Sequence, residues 1–384
     1  MVLMPVISAS KLGDPLLESV AVGVHEVLSE EAFKRMIAIE RKRTERSREP
    51  FLLMLLEAGH RPGSELNRRA LDRVVSALLT SIRETDIIGW YNDRTAVGVM
   101  YTGLPVKDKK PVINIILSKV SATLRNELLL EQFNQVTISF HIFPDDWDNH
   151  DSGDPTDRVL YPDLLTIDRR KKPALALKRV LDIVGSAIIL TICAPLFLII
   201  ALAIKATSKG PVLFKQQRVG QYGRCFTFLK FRSMHVNSDT SAHEEFITQF
   251  ITDRGEHRPP SGSGDGMYKL TNDRRVTMLG KILRRSSLDE LPQFLNVLMG
   301  DMSMVGPRPP IPYEVAVYQT WHRRRVLEVK PGITGLWQVT GRSRTKFDEM
   351  VRLDLRYAES WTLWRDIKIL LRTPLAVIKG AGAY

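Results

Sequence analysis

The chain of 384 residues contains only two cysteines, Cys193 and Cys225. A small disulfide-stapled fold needs several cysteine pairs, so this composition excludes a secreted disulfide scaffold and favours a reducing compartment. The eight histidines are scattered and no two have the spacing of zinc ligands, which argues against a zinc site. The first 20 residues lack a basic stretch followed by an apolar run, so no cleavable signal peptide is predicted.

One long stretch lacks charge altogether. Residues 183–204 form a run of 22 residues without a charged side chain, and at about 1.5 Å per residue this run is long enough to cross a hydrocarbon core of about 30 Å. The pattern predicts a membrane helix, and the buried core helix of a soluble protein is the alternative. Pro195 lies inside the run and predicts a kink, because proline removes a backbone hydrogen bond and clashes with the preceding turn.

Basic residues flank this run on both sides. They are Lys171, Lys172, Lys178 and Arg179 before it, and Lys205 and Lys209 after it. Because basic flanks favour the cytoplasmic side of a membrane, both ends are drawn to the same side. A re-entrant membrane helix that breaks at Pro195 satisfies both flanks, and a straight span is the alternative.

Charge is divided unevenly along the chain. The net charge is −3 over residues 1–170 and +15 over residues 171–384, which gives the +12 of the whole chain. A basic region implies an anionic partner: nucleic acid, a phosphate-bearing small molecule or an anionic membrane surface. We expect no nucleic-acid partner, because the sequence carries no recognised nucleic-acid motif and such a partner leaves the apolar run unexplained.

Ahead of the apolar run, the hydrophobic pattern predicts a separate α/β domain. Strands are predicted at residues 51–56, 86–91, 95–101 and 136–142, and helices at residues 71–84 and 112–130. The order β-α-β-β-α-β is that of ferredoxin-like layouts, with Asn92-Asp93-Arg94 at the tip of the central hairpin. Residues 1–145 are assigned to this domain and residues 146–177, which begin with a stretch rich in Pro, Gly and Asp, to a linker.

This domain resembles a nucleotide-cyclase-like domain of the diguanylate cyclase type, in which the hairpin tip carries a Gly-Gly-acidic signature. The present hairpin has Tyr91-Asn92-Asp93-Arg94-Thr95 instead, and only Glu57 follows the first strand where such domains carry a metal-binding Asp. The resemblance therefore implies a degenerate domain with a regulatory or dimerisation role, so that the chain is expected to form a homo-oligomer, most simply a dimer.

Two adjacent carboxylates, Asp289 and Glu290, lie in a stretch with the signals of a helix start. Ser287 and Glu290 match a capping box, so capping alone is one explanation of Glu290. Pro292 fits that register poorly, and a helix that begins nearer Leu291 is the alternative. At a helix N-terminus the backbone dipole favours the ionised carboxylate, which makes Asp289 and Glu290 candidates for a nucleophile or metal ligands. Adjacent carboxylates also suit Mg²⁺, which combines one or two of them with substrate phosphates.

Basic residues that could bind phosphate accompany the carboxylates. Lys230 and Arg232 share one face of a predicted strand, where Arg can bind phosphate bidentately and Lys supplies a point charge. Taken alone, this pair is better explained as a solvated strand face. Arg284 lies within a turn or two of the carboxylates, and Arg308 lies on a stiff proline-rich loop of the kind that a phosphate clamp needs.

Seven motifs in this order closely resemble the bacterial sugar transferase family, the monotopic polyprenol-phosphate phosphoglycosyl transferases. They are KRVLDI at 178–183, the apolar run with its proline, KFRSM at 230–234, SLDELPQ at 287–293, GDMSMVGPRP at 300–309, KPGITGLWQVTGR at 330–342 and GAGAY at 380–384. The resemblance extends over residues 178–384. It implies a small α/β catalytic domain with amphipathic interfacial helices, joined to a re-entrant membrane helix in which Pro195 marks the break.

The resemblance also implies an activity. The family transfers a phosphosugar from a UDP-sugar to a polyprenol phosphate such as undecaprenyl phosphate, giving a polyprenol-diphosphate sugar and UMP at the start of exopolysaccharide, capsule or O-antigen assembly. The implied location is the bacterial inner membrane with the catalytic face in the cytoplasm. A nonenzymatic membrane adaptor that binds a nucleotide or a protein is the alternative.

Roles follow for particular residues by the same resemblance. Asp289 would be the nucleophile that forms a covalent phosphosugar intermediate, and Glu290 would activate the lipid phosphate or, with Asp289, hold Mg²⁺. The phosphate oxygens would be bound by Lys230, Arg232, Arg284 and Arg308.

Two further patterns leave alternatives open. The basic cluster Trp321-His322-Arg323-Arg324-Arg325 could contact anionic lipid or only solvent. Trp361 and Trp364, beside Arg365 and Lys368, could lie at the headgroup level of a membrane or in the protein core.

Overall fold

A computed structural model of the chain describes residues 26–58, 65–104, 109–144, 156–236, 241–252, 275–340 and 346–378. These residues divide into two compact units, Met1–Thr44 with Arg48–Phe143 and Glu45–Ser47 with Pro144–Tyr384. Both units mix helices with strands, so the predicted α/β class is confirmed.

The first unit is built on a four-stranded sheet. Its elements are α1 Glu30–Ser47, β1 Phe51–Ala58, α2 Glu65–Leu79, β2 Ile87–Asn92, β3 Ala96–Tyr101, α3 Lys109–Glu127, α4 Leu130–Phe133 and β4 Val136–Phe143. The strands lie in the order β2-β3-β1-β4, and every neighbouring pair is antiparallel. The four predicted strands are confirmed, each within two residues of its predicted limits.

The core of the first unit lies between its sheet and helices. β3 is buried along its whole length, and Leu71, Val74 and Leu78 of α2 pack on the same cluster as Leu124 of α3. On α1, Phe33 packs so closely on the sheet that a Cβ atom at Gly98 would lie 2.4 Å from its ring. Glycine at that strand position therefore makes room for the helix.

The second unit begins with the long apolar helix. Its elements are α5 Pro162–Thr207, β5 Leu213–Val219, β6 Cys225–Phe231, α6 Ser241–Thr252, α7 Met278–Arg285, α8 Gln293–Met299, β7 Ser303–Val305, α9 Pro312–Ala316, α10 Thr320–Leu327, β8 Gly332–Thr334, α11 Leu336–Thr340, α12 Phe347–Glu359 and α13 Leu363–Ile378. β5 and β6 form an antiparallel hairpin, and β7 and β8 form a short parallel pair.

Helix α5 starts inside the range that the sequence assigned to a linker. Pro162 occupies its first turn, where the missing N–H costs nothing, and Pro173 lies within the helix. The residues just before it are also packed: Thr156 Oγ1 donates to the carbonyl of Tyr222 at 2.7 Å, and Leu160 is buried. Residues 156–177 are therefore part of the second unit rather than linker, and residues 145–155 lie outside the described part of the chain.

Helix α5 contains the stretch predicted for a membrane. Lys172–Thr207 is long and apolar enough to cross one, with a mean hydropathy of 2.9 in its most apolar part, of which 11% is buried. The low burial speaks against the alternative of a soluble core helix within this chain. The helix runs through Pro195 without an interruption, so the predicted break does not end it there.

The start of the apolar run is fastened to the second unit by polar contacts. Lys178 Nζ donates to the carbonyl of Val305 at 3.1 Å, and Arg179 donates to the carbonyl of Val297 at 2.6 Å. Asp182 accepts from the N–H of Met304 at 2.9 Å. Lys178 and Arg179 belong to the basic flank that favours the cytoplasmic side, and both side chains bind backbone carbonyls of the second unit.

The far end of the same helix packs on β6 and α7 through apolar contacts. Ile200 and Ile204 are buried in a cluster with Phe231 of β6 and Leu283 of α7. The ring of Phe197 also lies edge-on to that of Phe231, with centroids 5.0 Å apart. Both ends of the apolar run thus contact the same unit.

Candidate active site

The carboxylates Asp289 and Glu290 lie on a tight turn between α7 and α8. Ser287 has a φ of 57°, a left-handed value that is uncommon for a residue other than glycine, and Leu288–Glu290 form one 3-10 turn. The predicted capping box is wrong, because the Ser287 side chain makes no cap hydrogen bond and α8 begins only at Gln293. Pro292 lacks an N–H and stands at the N-cap of α8, which moves the helix start beyond the two carboxylates.

The two carboxylates have different surroundings. Asp289 is 6% exposed, whereas Glu290 reaches Lys230 on β6, with Oε1 3.2 Å from Nζ. Lys230, a candidate phosphate-binding residue, therefore lies beside Glu290. Glu290 pairs with a cation, and the Ser287 half of the predicted capping box does not form.

Arg232 has a different position from the one expected of a phosphate clamp. Its Nη2 donates to the carbonyl of Ser208 at 3.0 Å and to Ser208 Oγ at 2.7 Å, so the guanidinium caps the end of α5. Gly210 with a φ of 120° lets the chain pass over it, since a Cβ atom there would lie 2.2 Å from Nη1. Arg232 Nε and Nη1 are buried and have no hydrogen-bond partner among the described residues.

Arg284 is held by the end of the same motif. Its Nε donates to Ser233 Oγ at 3.0 Å. The contact depends on the start of α7, where the N–H of Thr277 donates to the carbonyl of Ser233 at 3.0 Å. A Cβ atom at Gly280 would lie 2.0 Å from that carbonyl oxygen, so only glycine allows this approach. The KFRSM motif and the Asp289 turn are thereby joined.

The proline-rich loop that carries Arg308 follows β7. Gly306 packs against β8, where a Cβ atom on Gly332 would lie 2.0 Å from the Gly306 nitrogen. This contact explains why both motifs contain glycine at these positions. On the other side, the N–H of Val219 donates to the carbonyl of Pro310 at 2.9 Å, and Arg218 Nη1 donates to the carbonyl of Pro309 at 2.9 Å.

The hairpin of β5 and β6 relates the Arg308 loop to the Glu290–Lys230 pair. The loop is bonded near the turn of the hairpin, at Arg218 and Val219, whereas Lys230 pairs with Phe214 toward the other end. Four register positions separate these points, which is about 13 Å along the strand. The Arg308 loop and Lys230 thus lie toward opposite ends of the same hairpin.

Tyr313, at the start of α9, lies near Arg218 and Arg308. Burial raises its pKa to about 12, with Glu314 adding to the rise, while Arg218 and Arg308 oppose it. The phenol therefore stays protonated near neutral pH and can donate a hydrogen bond.

Sequence reasoning missed the groups that hold the Arg308 loop. No motif singles out Arg218, and Arg325 belongs to a basic cluster that was expected to contact lipid or solvent. The structure buries Arg325, which forms an ion pair with Asp354 of α12 at 2.7 Å. His322 of the same cluster is also buried, with Nε2 3.0 Å from Asp348 Oδ1. An arginine that binds backbone carbonyls leaves no motif in the sequence, so no signal pointed to this role.

The two tryptophans near the C-terminus divide between the alternatives. Trp361 is buried and donates to Asp366 Oδ2 at 3.0 Å, so it belongs to the core. Trp364 is 61% exposed, with Lys368 Nζ 5.5 Å from its ring centroid. Only Trp364 is placed to meet a membrane surface.

Within the described residues, no group of three or more His, Cys, Asp and Glu side chains could hold a metal ion. The adjacent carboxylates of Asp289 and Glu290 form a smaller donor set. Two carboxylates suit Mg²⁺ when substrate phosphates complete its coordination, so these residues fit a metal that arrives with its substrate.

A family model described as bacterial sugar transferase matches residues 173–380. The chain belongs to the bacterial sugar transferase family. This confirms the resemblance drawn from the seven motifs. Residues 341–345 and 379–384 lie outside the described residues, so the end of the motif at 330–342 and the whole motif at 380–384 are not described.

Named relatives share the same part of the chain. A galactosyl transferase, CpsE, from Streptococcus agalactiae is 46% identical over 210 residues, 54% of this chain and 44% of that protein. An undecaprenyl-phosphate galactose phosphotransferase from Salmonella typhimurium is 44% identical, over 56% of this chain and 43% of that protein. A UDP-glucose:undecaprenyl-phosphate glucose-1-phosphate transferase from Caulobacter vibrioides is 40% identical, over 54% of this chain and 72% of that protein. The chain thus spans less than half the length of the first two relatives.

Among solved structures, a DGC protein from Thermotoga maritima covers 32% of this chain and 86% of that chain, at 17% identity and a TM-score of 0.25. A likeness at this score carries no argument about the fold.

Proposed function

We propose that the chain transfers a phosphosugar from a UDP-sugar to undecaprenyl phosphate, and so starts the assembly of an exopolysaccharide, capsule or O-antigen. The observation that carries the proposal is the buried Asp289 carboxylate next to the Glu290–Lys230 pair, at the edge of a long exposed apolar helix. Relatives named as transferases of galactose or glucose phosphate make these two sugars the first candidates.

The proposed chemistry has two steps. A carboxylate oxygen of Asp289 attacks the sugar-bearing phosphorus of the UDP-sugar, the bond from this phosphorus to the bridging oxygen breaks, and UMP leaves with the electron pair. A phosphate oxygen of undecaprenyl phosphate then attacks the same phosphorus, and the Asp289 carboxylate leaves. The product is an undecaprenyl-diphosphate sugar, and the enzyme returns to its starting charge.

The surrounding cations would stabilise charge that develops in both steps. Lys230, next to Glu290, and Arg308, on its rigid loop, are placed to bind phosphate oxygens toward opposite ends of the hairpin. Arg284 supports the turn through Ser233. Removal of one such donor typically costs about 2.7 to 4 kcal/mol in transition-state stabilisation. Arg232 has its Nη2 engaged with Ser208, so its part is to fix the end of α5 as well as to supply positive charge.

Asp289 and Glu290 would hold Mg²⁺ together with the substrate. The ion supplies positive charge that neutralises phosphate oxygens when it is bound. In this arrangement Lys230 orients the Glu290 carboxylate, and Glu290 is also placed to accept a proton from a lipid phosphate that arrives protonated.

The proposed location is the cytoplasmic face of the bacterial inner membrane, with the apolar run of α5 entering and leaving on one side. Since α5 is continuous through Pro195, this path needs a bend at Pro195 rather than an end of the helix. Both ends of its apolar run contact one unit, which supports a path that enters and leaves on one side. Exposed apolar side chains on short helices would rest on the lipid surface beside basic residues. They are Met278 and Ile282 of α7 and Trp364, Leu371 and Leu375 of α13.

The first unit is proposed to regulate or dimerise the enzyme. Its strand order and antiparallel pairing support the ferredoxin-like, degenerate cyclase-like layout expected of residues 1–145. At its hairpin tip, the N–H of Asp93 donates to Glu30 Oε2 of α1 at 2.7 Å, so this N–H is bound within the unit. The transferase domain is proposed to extend over residues 178–384 with the packed residues from 156 onward.

The function is tested by UMP release. The full chain is purified in lipid nanodiscs and supplied with undecaprenyl phosphate, Mg²⁺ and one of a panel of UDP-sugars that includes UDP-galactose and UDP-glucose. We expect wild-type protein to release UMP from one sugar. Asp289→Asn removes the nucleophile with little change of shape, and its rate is expected to fall at least about a thousandfold, as when a nucleophile is removed from other covalent enzymes.

Asp348→Asn is the matched control, because Asp348 lies far along the sequence, is partly exposed and keeps an oxygen acceptor for His322 after the change. Its rate should stay within about threefold of wild type, as for a surface substitution. A folded wild-type protein that releases no UMP from any UDP-sugar would overturn the proposed function, and a folded Asp289→Asn protein with more than a few per cent of wild-type activity would overturn the role of Asp289.

A further inference from the structure

The loop of Gly306-Pro307-Arg308-Pro309-Pro310 is short of hydrogen-bond donors. Three of its five residues are prolines and have no N–H. The loop can therefore be fixed to the rest of the protein mainly through its carbonyl groups. Its stiffness limits φ, but stiffness alone does not decide where the Arg308 side chain lies.

Each of four consecutive carbonyls in this loop accepts a hydrogen bond from a different residue, and the four donors belong to β5, β8 and α10. Pro307 accepts from the N–H of Gly332 at 2.8 Å, and Pro310 accepts from the N–H of Val219 at 2.9 Å. The two carbonyls between them accept from buried guanidinium groups. Arg308 accepts from Arg325 Nη2 at 3.3 Å, and Pro309 accepts from Arg218 Nη1 at 2.9 Å.

We propose that Arg325 and Arg218 are positioning residues that hold the backbone of Arg308 so that its side chain can bind a phosphate of the substrate. Neither has to touch the substrate. The inference rests on the proposed function, and it adds two arginines to those that the motifs single out.

Two further side chains hold the Nη atoms of Arg325. Its Nη2 lies 2.7 Å from Asp354 Oδ2, and its Nη1 donates to the hydroxyl of Tyr318 at 3.4 Å. Arg325 is 3% exposed and Asp354 is 1% exposed. A buried pair of this kind resists rearrangement, because separating the charges leaves each of them without compensation.

The charge state of Asp354 supports this arrangement. Burial raises its pKa to about 6, and the Arg325 guanidinium opposes the rise. The carboxylate is therefore ionised in an assay at about pH 8, and the ion pair that anchors Arg325 is present under those conditions.

A lysine cannot replace Arg325 in this position. The planar guanidinium presents several N–H groups in fixed directions, so one side chain serves the carboxylate, the Tyr318 hydroxyl and the Arg308 carbonyl. A lysine keeps the positive charge near Asp354 but has a single nitrogen at the end of a flexible chain. Arg325→Lys should therefore preserve the charge and lose the contact with Arg308.

Arg324 offers a matched control on the same helix. Its Nη2 lies 2.8 Å from Glu328 Oε1 and its Nε bonds the same oxygen, so it also forms an ion pair. Arg324 also pairs with Glu359 of α12 at 3.5 Å, and neither glutamate belongs to the Arg308 loop. Arg324→Lys makes the same chemical change one residue away and should leave kcat within about threefold of wild type.

The test measures steady-state UMP release at about pH 8 by the full chain in nanodiscs, with the UDP-sugar that wild type uses. Arg325→Lys and Arg218→Lys should each lower kcat about tenfold to a hundredfold, the effect of small misplacements of a catalytic group, with a smaller change in KM for the UDP-sugar. Thermal unfolding of each variant reports whether the fold is kept.

A double-mutant cycle separates positioning from a general structural effect. Arg308→Ala removes the side chain that the two arginines position. If they act through it, adding Arg325→Lys or Arg218→Lys to Arg308→Ala lowers kcat less than about twofold further. If they support the fold in some other way, the losses multiply, and this outcome would overturn the proposal.

Other outcomes are equally decisive. Folded Arg325→Lys and Arg218→Lys proteins with wild-type kcat would also overturn the proposal. Should Arg325→Lys fail to fold, Arg218→Lys decides the question in the same cycle. Failure of the proposed function is a distinct result, because wild-type protein would then release no UMP at all.

Discussion

The two units use their charged residues in opposite ways. In the first unit the ion pairs are local, such as Lys34 with Glu30 at 2.6 Å and Arg35 with Glu31 at 3.5 Å, each four residues apart on α1. In the second unit, which also has a local pair at Arg324 and Glu328, several charged groups bridge distant segments. Lys178 reaches Asp366 at 2.6 Å, a partner 188 residues further along the chain.

This contrast changes the meaning of the net charge of the second unit. A value of +15 over residues 171–384 suggests a broad basic surface, yet several of its arginines and lysines are buried and bind carbonyls or carboxylates. Those that hold backbone segments include Lys178, Arg179, Arg218 and Arg325. The charge therefore also assembles the unit, and fewer cations than the net charge suggests are available to phosphates and lipid.

The largest effect is expected at Asp366, whose buried carboxylate joins distant segments of the second unit. Its carboxylate binds Lys178, the hydroxyl of Tyr357 at 2.6 Å and the indole of Trp361 at 3.0 Å. Asp366→Asn removes the charge and leaves the half-buried Lys178 ammonium without its anionic partner. Breaking a fully buried pair typically costs about 3–5 kcal/mol, and the 15% exposure of Lys178 makes the expected loss smaller. Thermal unfolding in nanodiscs should show a large drop in Tm, and an unchanged Tm would mean that this buried network does not hold α5 to the unit.

Truncation tests where the second unit begins. Removal of residues 1–143 leaves the Thr156–Tyr222 contact and the buried Leu160, so we expect UMP release to continue. Removal of residues 1–161 deletes those contacts, and both Tm and activity should fall. Complete loss of activity in a well-folded protein that lacks residues 1–143 would show that the first unit is required for the chemistry.

A smaller effect is expected from His322. Burial lowers its pKa below the usual 6.5, and Arg325 adds to this, while Asp348 opposes it. The folded state thus favours neutral His322, and the stability gained above pH 6.5 is lost as the pH falls through its lowered pKa. His322→Gln should make the free energy of unfolding depend less on pH below 6.5; an identical pH dependence would exclude His322 as the source.

The smallest effect is expected at the exposed pair of the first unit. Arg35 and Glu31 lie on the surface of α1, where such pairs contribute at most about 0.5 kcal/mol. Glu31→Gln should leave Tm unchanged within error. A drop comparable to that of Asp366→Asn would contradict the division between local surface pairs and buried bridging pairs.

The sequence was most informative where side chains alternate or form motifs. The strands of the first unit could be located because apolar alternation and turns define them, and Lys230 beside Glu290 follows from family motifs. The start of α5 could not be predicted, because the stretch rich in Pro, Gly and Asp that suggested a linker runs up to Pro162, which is tolerated in the first turn of the helix.

Two kinds of feature escaped sequence reasoning for a physical reason. The 3-10 turn at Leu288–Glu290 follows a left-handed Ser287, a conformation that serine rarely adopts, whereas the later start of α8 agrees with the poor fit of Pro292 to the capping box. The bonds from Arg218 and Arg325 end on main-chain carbonyls, which every residue possesses, so no partner could be recognised from residue type.

The most direct test of the central claim is the mass of the protein after incubation with the UDP-sugar that it uses and Mg²⁺, without undecaprenyl phosphate. The account predicts one added phosphosugar on the peptide that contains Asp289, no addition in Asp289→Asn, and loss of the adduct when undecaprenyl phosphate is supplied. UMP release that strictly requires undecaprenyl phosphate, with no adduct on the wild-type protein, would contradict the covalent role of Asp289.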